Sequence, residues 1–276
     1  MIVSRQKKIC FFPIIGGKFN FLKTLIPLIP SHRIYVEVFG GAASLLLNKP
    51  PSRIEVFNDA DRELVNLFLV VRDAPKKFLK GFRLMLYSRE IYNRWAKEPS
   101  PKDPFERAVR FYYLLRSSFS GVHDGGWRFN LTRNIAKTFF DSLKNIYRIS
   151  RRLRNVQIEN LDFRECIKRW DKPDTFFYLD PPYYGLQYYR LKFSEKDHLD
   201  LREILRKVRG KWLLNYNNHP KIKKMYSSFN IREIEMPKTA PLKEEGEKRN
   251  NLKNLIITNY QLVKANKSTM EGKGTE

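Results

Sequence analysis

The sequence predicts an α/β protein, an open sheet with helices on both faces, interrupted by an inserted and mainly helical lobe. Three observations predict it. Runs rich in β-branched and aromatic residues alternate with helical periodicities in both outer parts of the chain. One such run, Ile34 to Phe39, passes through Gly40-Gly41-Ala42-Ala43-Ser44 directly into Leu45-Leu46-Leu47. That order of strand, small-residue loop and helix lets backbone amides approach a ligand closely. Between residues 75 and 155 strand patterning stops, and 19 Lys plus Arg stand against 6 Asp plus Glu, a net +13 of the whole chain's +24 in under a third of its 276 residues.

Taken in order, 11–30 begins Phe-Phe-Pro-Ile-Ile-Gly-Gly-Lys, and Phe19, Phe21, Leu22, Leu25 and Ile26 then recur at helical intervals. A loop feeding an amphipathic helix follows, with Lys18 either reaching a carboxylate or standing exposed at the helix start. A second strand, 53–57, ends at Asn58-Asp59, 19 residues after Gly40, where an acid is placed to accept hydrogen bonds from ribose hydroxyls. Any nucleoside-binding α/β protein shares that unit. A helix over 63–71 returns the chain. Within 75–155, helices are expected at 76–95, 104–117 and 142–153 around a Gly- and Asn-rich loop at 118–134. Alternation resumes with a strand at 156–160, Leu161-Asp162-Phe163 leading a helix to Trp170, and a strand at 175–179. A helix over 194–208 starts with an N-cap signature, Ser194 with Asp197 three positions on. Strands at 211–216, 230–236 and 255–260 complete the sheet, with a charged loop at 238–251 and a polar tail at 264–276 read as disordered. The division is therefore a catalytic domain of 1–74 and 156–263 with 75–155 inserted as a separate basic domain.

Composition narrows the function. With 42% hydrophobic residues the chain can bury a sizeable core, and the basic excess favours a polyanionic partner, since neutralising phosphates releases counterions. Solvated lysine-rich faces give the same balance. Cys10 and Cys166 have no paired spacing and the four histidines are scattered, so neither a disulfide framework nor a metal site is indicated. The basic first residues run into an apolar stretch broken by Pro13, Gly16 and Gly17, without a signal peptide's cleavage pattern, and the longest apolar run, 64–71, is far too short to span a bilayer. No membrane partner and a cytoplasmic, reducing setting are expected. In the insertion, Tyr92, Trp95, Tyr112, Tyr113, Phe119, Trp127 and Phe129 are interleaved with basic residues, as suits a surface that contacts phosphates and stacks on bases. Tyr112 and Tyr113 recur at helical spacing and read as core, whereas Phe119 and Trp127 lie in the loop.

The chemistry concentrates in Thr175-Phe176-Phe177-Tyr178-Leu179-Asp180-Pro181-Pro182-Tyr183. An aromatic, β-branched strand ends abruptly in an acid, two prolines and an aromatic, which sets Asp180 at a strand's carboxyl end, where ligands bind in open α/β sheets. The prolines fix their φ angles and lack N–H groups, so the Asp180 and Pro181 carbonyls can be held outward as acceptors. A rigid acceptor pair beside the Tyr183 ring suits a planar amine. Carboxylate and carbonyl would accept its two N–H bonds while the ring stacks on the base, leaving the nitrogen lone pair free to attack. The plainer reading is a proline-containing turn capped by an Asp.

Asp180-Pro181-Pro182-Tyr183 resembles the catalytic motif of the amino-methyltransferases, and the chain as a whole is similar to the Dam-like adenine-specific DNA methylases. Further matches are Gly16-Gly17-Lys18, Glu37-Val38-Phe39-Gly40-Gly41-Ala42, Asn58-Asp59, the closing Leu-Ile-Ile-Thr-Asn-Tyr, and, in the insertion, Pro104-Phe105-Glu106-Arg107-Ala108-Val109 and Trp127-Arg128-Phe129-Asn130. The resemblance implies a Rossmann-like methyltransferase sheet, the cofactor S-adenosyl-L-methionine, double-stranded DNA as substrate and a cognate restriction endonuclease as a candidate partner. It implies that Lys18, Glu37, Phe39, Gly40, Gly41, Ala42 and Asp59 hold the cofactor, that Asp162 meets its adenine, and that Asp180, Pro181, Pro182 and Tyr183 hold the target base, with Asp180 also near the cofactor. The DNA contacts would come from Arg116, Ser120, His123, Trp127, Arg128, Arg151 and Arg152. Two departures stand out. The family's aromatic before the glycine pair is Ile14 or Ile15, and Ser120-Gly121-Val122-His123-Asp124 stands where the family usually has Asn-Gly followed by Arg, which implies a changed or relaxed DNA sequence preference. An RNA adenine methyltransferase and a non-enzymatic nucleic-acid-binding module are the rival readings. Asp rather than Asn at position 180 argues against the first, and the intact motif against the second.

Overall fold

A computed structural model describes residues 8–14, 16–119, 125–186, 190–236 and 252–262. Ile15, Ser120, His123, Tyr188, Tyr189, the charged loop at 238–251 and the tail at 264–276 lie outside the described residues. Seven strands, β1 (Ile34–Glu37), β2 (Ile54–Asn58), β3 (Val156–Glu159), β4 (Thr175–Leu179), β5 (Lys211–Asn217), β6 (Asn230–Met236) and β7 (Leu252–Thr258), form one sheet in the order β3-β2-β1-β4-β5-β7-β6. The first five run parallel, and β7 is antiparallel to both β5 and β6. Every residue of β1 and of β4 is buried, as a parallel strand covered on both faces requires. Strand order reverses between these two, so their connections leave in opposite directions and open a crevice at their carboxyl ends.

The helices among the described residues are α1 (Leu22–Leu25), α2 (Ser44–Asn48), α3 (Arg62–Asp73), α4 (Pro75–Lys80), α5 (Arg89–Lys97), α6 (Pro104–Ser117), α7 (Ile135–Leu143), α8 (Ile146–Leu153), α9 (Phe163–Trp170), α10 (Glu195–Leu205) and α11 (Pro220–Met225). Alternate strand residues point to opposite faces. Tyr35, Phe57, Phe176 and Tyr178 pack beneath α1 to α8, while Val36, Val56, Phe177 and Leu179 meet α9, α10 and α11. The α/β fold with helices on both faces is therefore observed. Ser194 and Asp197 form the expected reciprocal cap at the start of α10. None of the helices among the described residues is long and apolar enough to cross a membrane.

The basic segment from α4 to α8 does not pack around a core of its own. α6 lies along α3, and Tyr112 joins Phe11 of the N-terminal segment (ring centroids 5.7 Å apart) to Phe78 of α4 (5.5 Å), while Phe11 meets Phe68 of α3 edge-on at 5.2 Å. Tyr112 and Tyr113 are fully buried, as their spacing predicted. The single helix expected over 76–95 is two. Gly81 lies so close to α6 that a Cβ there would stand 2.7 Å from a Val109 methyl, and Ser88 caps a new helix by accepting from Ile91 N. The helix expected over 142–153 likewise divides between α7 and α8.

Arg152 corrects an expectation. Rather than standing free for phosphate, its guanidinium donates to both Glu55 carboxylate oxygens (2.5 and 2.8 Å) and to Leu46 O, and Lys49 Nζ reaches the same carboxylate at 2.6 Å. Glu55 is 3% exposed and lies near the start of β2, roughly 13 Å along the strand from Asp59 at about 3.3 Å per residue. The residue ties α8 beneath the sheet, at the end away from the crevice. Arg152→Ala, which leaves a buried carboxylate short of its bidentate partner, is expected to lower stability by about 3–5 kcal/mol in urea unfolding. The dependence of DNA affinity on salt should stay unchanged.

Candidate active site

The crevice contains a cavity of about 420 Å³ whose walls come from β1, β2, β4 and the loops that leave them. Its floor is built by the turn after β1. Glu37 is buried and accepts from Tyr35 Oη and Leu46 N, both at 2.9 Å, and burial pushes its carboxyl up to about 8. Gly40 N donates to Asn58 O at 2.8 Å, and a Cβ on Gly40 would fall 2.1 Å from the Phe57 ring, itself stacked on Phe68 at 4.2 Å. Gly41 takes a left-handed φ of 49°, its N–H donates to Asp59 Oδ2 at 2.9 Å, and nothing lies within 4 Å of where its Cβ would be. The glycine turn thus has one residue packed hard against the sheet and one facing open space.

Asp59 also accepts from Asp61 N at 2.9 Å. Burial pushes its carboxyl up to about 6, against the lowering effect of these two N–H bonds. Asp61 in turn caps α3 and pairs with Arg190 at 3.1 Å across the mouth of the cavity. Asn58 knits the edge together by donating to Val38 O and Leu161 O and accepting from Leu161 N. On the far wall Phe39, Phe163 and Phe193 meet with ring centroids 5.4 to 5.7 Å apart.

At the end of β4, Asp180 Oδ2 takes a 2.6 Å ion pair from Lys18, which is only 4% exposed and also donates to Gly16 O. Asp180 Oδ1 accepts from Asn215 Nδ2 at 2.9 Å. The same nitrogen lies 2.7 Å from Tyr183 Oη, which Asn254 Nδ2 reaches at 2.6 Å. Lys18 Nζ stands 5.1 Å from the centre of the Tyr183 ring. Burial and the negative charge of Asp180 hold the Tyr183 hydroxyl well above its ordinary range, so it keeps its proton. The Tyr178 hydroxyl is raised in the same way and is buried with no hydrogen-bond partner among the described residues.

Lys18, Glu37, Phe39, Gly40, Gly41, Ala42, Asp59, Asp162, Asp180 and Pro182 all line the one cavity, though they come from points as far apart in sequence as 18 and 182. Asp162 caps α9 by accepting from Arg164 N at 2.9 Å and pairs with that residue's guanidinium at 3.1 Å. Ile14 lines the cavity where the resemblance leads one to expect an aromatic. The predicted DNA contacts divide. Arg116 is 8% exposed and donates to Thr138 O, so it is internal scaffolding, and Trp127 packs against Tyr87 (4.3 Å) and Tyr92 (5.7 Å) at the base of the loop. The expectation for Arg116 is therefore corrected, because burial has taken its side chain into the lobe, whereas Trp127 is partly buried against the core. Arg128 is half-buried, with its backbone held by Ser117 and Tyr87, while Arg151 is exposed on α8. Phe119, Phe129 and Leu131 are the exposed apolar side chains of this loop among the described residues. Asn215 and Asn254 were missed by sequence reasoning. The signal was a polar residue inside the apolar run Trp-Leu-Leu-Asn-Tyr of a buried strand next to β4.

A carboxylate at a strand end, an immobilised tyrosine and a glycine-floored cavity thus meet at the carboxyl edge of the parallel strands. Residues 15–239 match the model of the D12 class N6 adenine-specific DNA methyltransferases, and the chain belongs to that family. It is 28% identical to the Type II methyltransferase M1.LlaDCHI of Lactococcus lactis subsp. cremoris, over 89% of this chain and 93% of that protein. It is 27% identical to the DNA adenine methylase of Salmonella typhimurium, over 72% of this chain and 76% of the relative. With the DNA adenine methylase of Haemophilus influenzae it shares 23% identity over 87% and 90% of the two chains. The protein is thus a DNA adenine methyltransferase that uses a methyl donor. Because a methyl group on residue 40 must displace Phe57 from Phe68, Gly40→Ala is expected to lower stability by about 1–3 kcal/mol. An unchanged urea midpoint would show that the ring has room to move.

Proposed function

We propose that the protein transfers the methyl group of S-adenosylmethionine to the 6-amino group of an adenine swung out of double-stranded DNA. The observation that carries this reading is the Asp180 carboxylate, held on the cavity wall between Lys18 and Asn215 beside an anchored Tyr183. An amino group docked there gives its hydrogens to Asp180 and the Pro181 carbonyl and stacks its ring on Tyr183. Its lone pair then points away from both acceptors, toward the cavity. The residues present fit the cofactor. Asp59 offers a buried carboxylate for ribose hydroxyls, Phe39 and Phe163 give a flat apolar wall beside Asp162 for adenine, and the open face of Gly41 admits a ligand against the backbone. The cofactor supplies an electrophilic methyl group, and the protein's part is to hold the amine in line with it.

A base inside a duplex hides its amino group, so the target must leave the stack. We assign residues 75–155 to the grip on the duplex, with Arg128, Arg151, Ser120 and His123 as candidate contacts and Arg116 and Trp127 as their support. The name of the Lactococcus relative as a Type II methyltransferase supports a restriction-modification setting with a cognate endonuclease as partner, and a DNA-modifying activity fits the cytoplasm as its site of action.

Asp180→Ala is expected to cut methyl transfer to duplex DNA by roughly 10²-fold or more, the cost of losing near-attack geometry. Transfer of radiolabelled methyl groups measures it, and turnover like the wild type's would remove Asp180 from the mechanism. A second outcome concerns pH. Asp59 protonates as pH falls through about 6, and the protonated carboxyl gives up acceptor capacity toward the ribose. Cofactor affinity measured by calorimetry should therefore weaken on going from neutral pH downward through that value. Asp59→Asn should be weaker by about 1–3 kcal/mol at neutral pH and show no such dependence. A pH-independent wild-type affinity contradicts the role given to Asp59.

A further inference from the structure

Asn215 stands on β5, adjacent to β4, and is fully buried in a strand whose neighbours Leu213 and Leu214 are apolar. Its amide nitrogen donates to Asp180 Oδ1 at 2.9 Å and lies 2.7 Å from Tyr183 Oη. A planar NH2 group carries two donors at a fixed angle, so one nitrogen can hold two acceptors at once in a set relative geometry, which a hydroxyl with its single hydrogen cannot. The other oxygen of Asp180 is held from the opposite side by Lys18. The carboxylate is thereby fixed in plane as well as in place. Tyr183 Oη has a second anchor in Asn254 of β7, only 4% exposed, at 2.6 Å.

The arrangement carries a cost that packing alone would not accept. Asn215 Oδ1 is buried and has no hydrogen-bond partner among the described residues. A leucine, like the two that precede it, would fill a strand interior without an orphaned acceptor, and buried polar groups left unsatisfied call for a reason. We propose that Asn215 is a positioning residue for methyl transfer, which locks the Asp180 carboxylate and the Tyr183 ring into one unit, with Asn254 anchoring the ring alone. The proposal rests on reading Asp180 as the acceptor of the target amine and Tyr183 as its stacking partner.

The test uses the full chain with S-adenosylmethionine and a duplex containing its methylated sequence, first identified by sequencing DNA that the protein has modified. Asn215→Ala should slow single-turnover methyl transfer by roughly 10- to 100-fold, the scale set by small misplacements of reacting groups. The KM values for cofactor and DNA should change by less than about threefold, since an interaction that sets transition-state geometry appears in kcat. Asn215→Asp keeps the shape but removes both donors and sets a second carboxylate against Asp180, so it should be slower than the alanine variant. Packing predicts the reverse order, because the isosteric side chain fills the space better. Asn254→Ala should lose less rate than Asn215→Ala at unchanged cofactor affinity. A single-turnover rate for Asn215→Ala within about threefold of wild type, a loss confined to KM, or an aspartate variant faster than the alanine variant each overturns the proposal. Asp180→Ala run alongside separates the two levels. If it is active, the reading of the site fails and this proposal with it. If it is inactive while Asn215→Ala is normal, the positioning role alone fails.

Discussion

The parallel pairing of β1 with β4 is the constraint on which the site depends. Ile34 opposite Thr175 and Glu37 opposite Tyr178 bring the glycine turn and Asp180, 140 residues apart in the chain, to the same edge of the sheet. In a sheet of side-chain period two, a one-residue slip would turn Glu37 and Tyr178 to the other face and move Asp180 away from Lys18. The register is held by burial on both sides, Tyr35, Phe176 and Tyr178 toward one layer of helices and Val36, Phe177 and Leu179 toward the other. Chemistry at the edge is thus anchored by apolar packing well below it.

That edge is polar in a controlled way. Glu37, Asp59 and Asp180 all meet the cavity, yet each is handled differently. Glu37 is pushed up to about 8 by burial, so near neutral pH it mostly carries a proton. Asp59 is tied to two backbone N–H groups, and Asp180 has an ammonium and a carboxamide. Three carboxyl groups with equal charge in one cavity would repel one another and any anionic part of a ligand. Dividing their environments lets the cavity present its negative charge at Asp59 and Asp180, where the proposed mechanism needs acceptors for the ribose and the amine.

Much of this was legible in the chain. The strand-glycine-helix unit, the acid after β2, the cap at Ser194 and the Asp-Pro-Pro-Tyr turn are local signals, each decided by a few neighbouring residues, and each stands where it was read. Lys18 was legible as able to reach a carboxylate, but which one depended on a fold that closes 162 residues of chain. Asn215 and Asn254 stayed hidden because nothing local distinguishes a buried asparagine that holds Asp180 or Tyr183 from one that closes a strand end. The arginines misled for a related reason. Arg116 and Arg152 read as free charge, and only tertiary packing shows that one sits inside the lobe and the other on Glu55.

The shared core described above bears on how such enzymes can change the sequence they mark. Phe11, Phe68, Phe78 and Tyr112 interlock residues from before, within and around the basic segment, so that segment is not a cassette that can be exchanged between relatives while the catalytic half is left alone. A graft would carry foreign aromatics into the layer that supports β1 and β2. Variation is cheapest at the rim, where Phe119, Phe129 and Leu131 stand exposed and touch little of the core. On the assignment of DNA contacts proposed above, diversification of target choice in this architecture should therefore proceed by point changes along one loop, with the helices beneath inherited nearly intact.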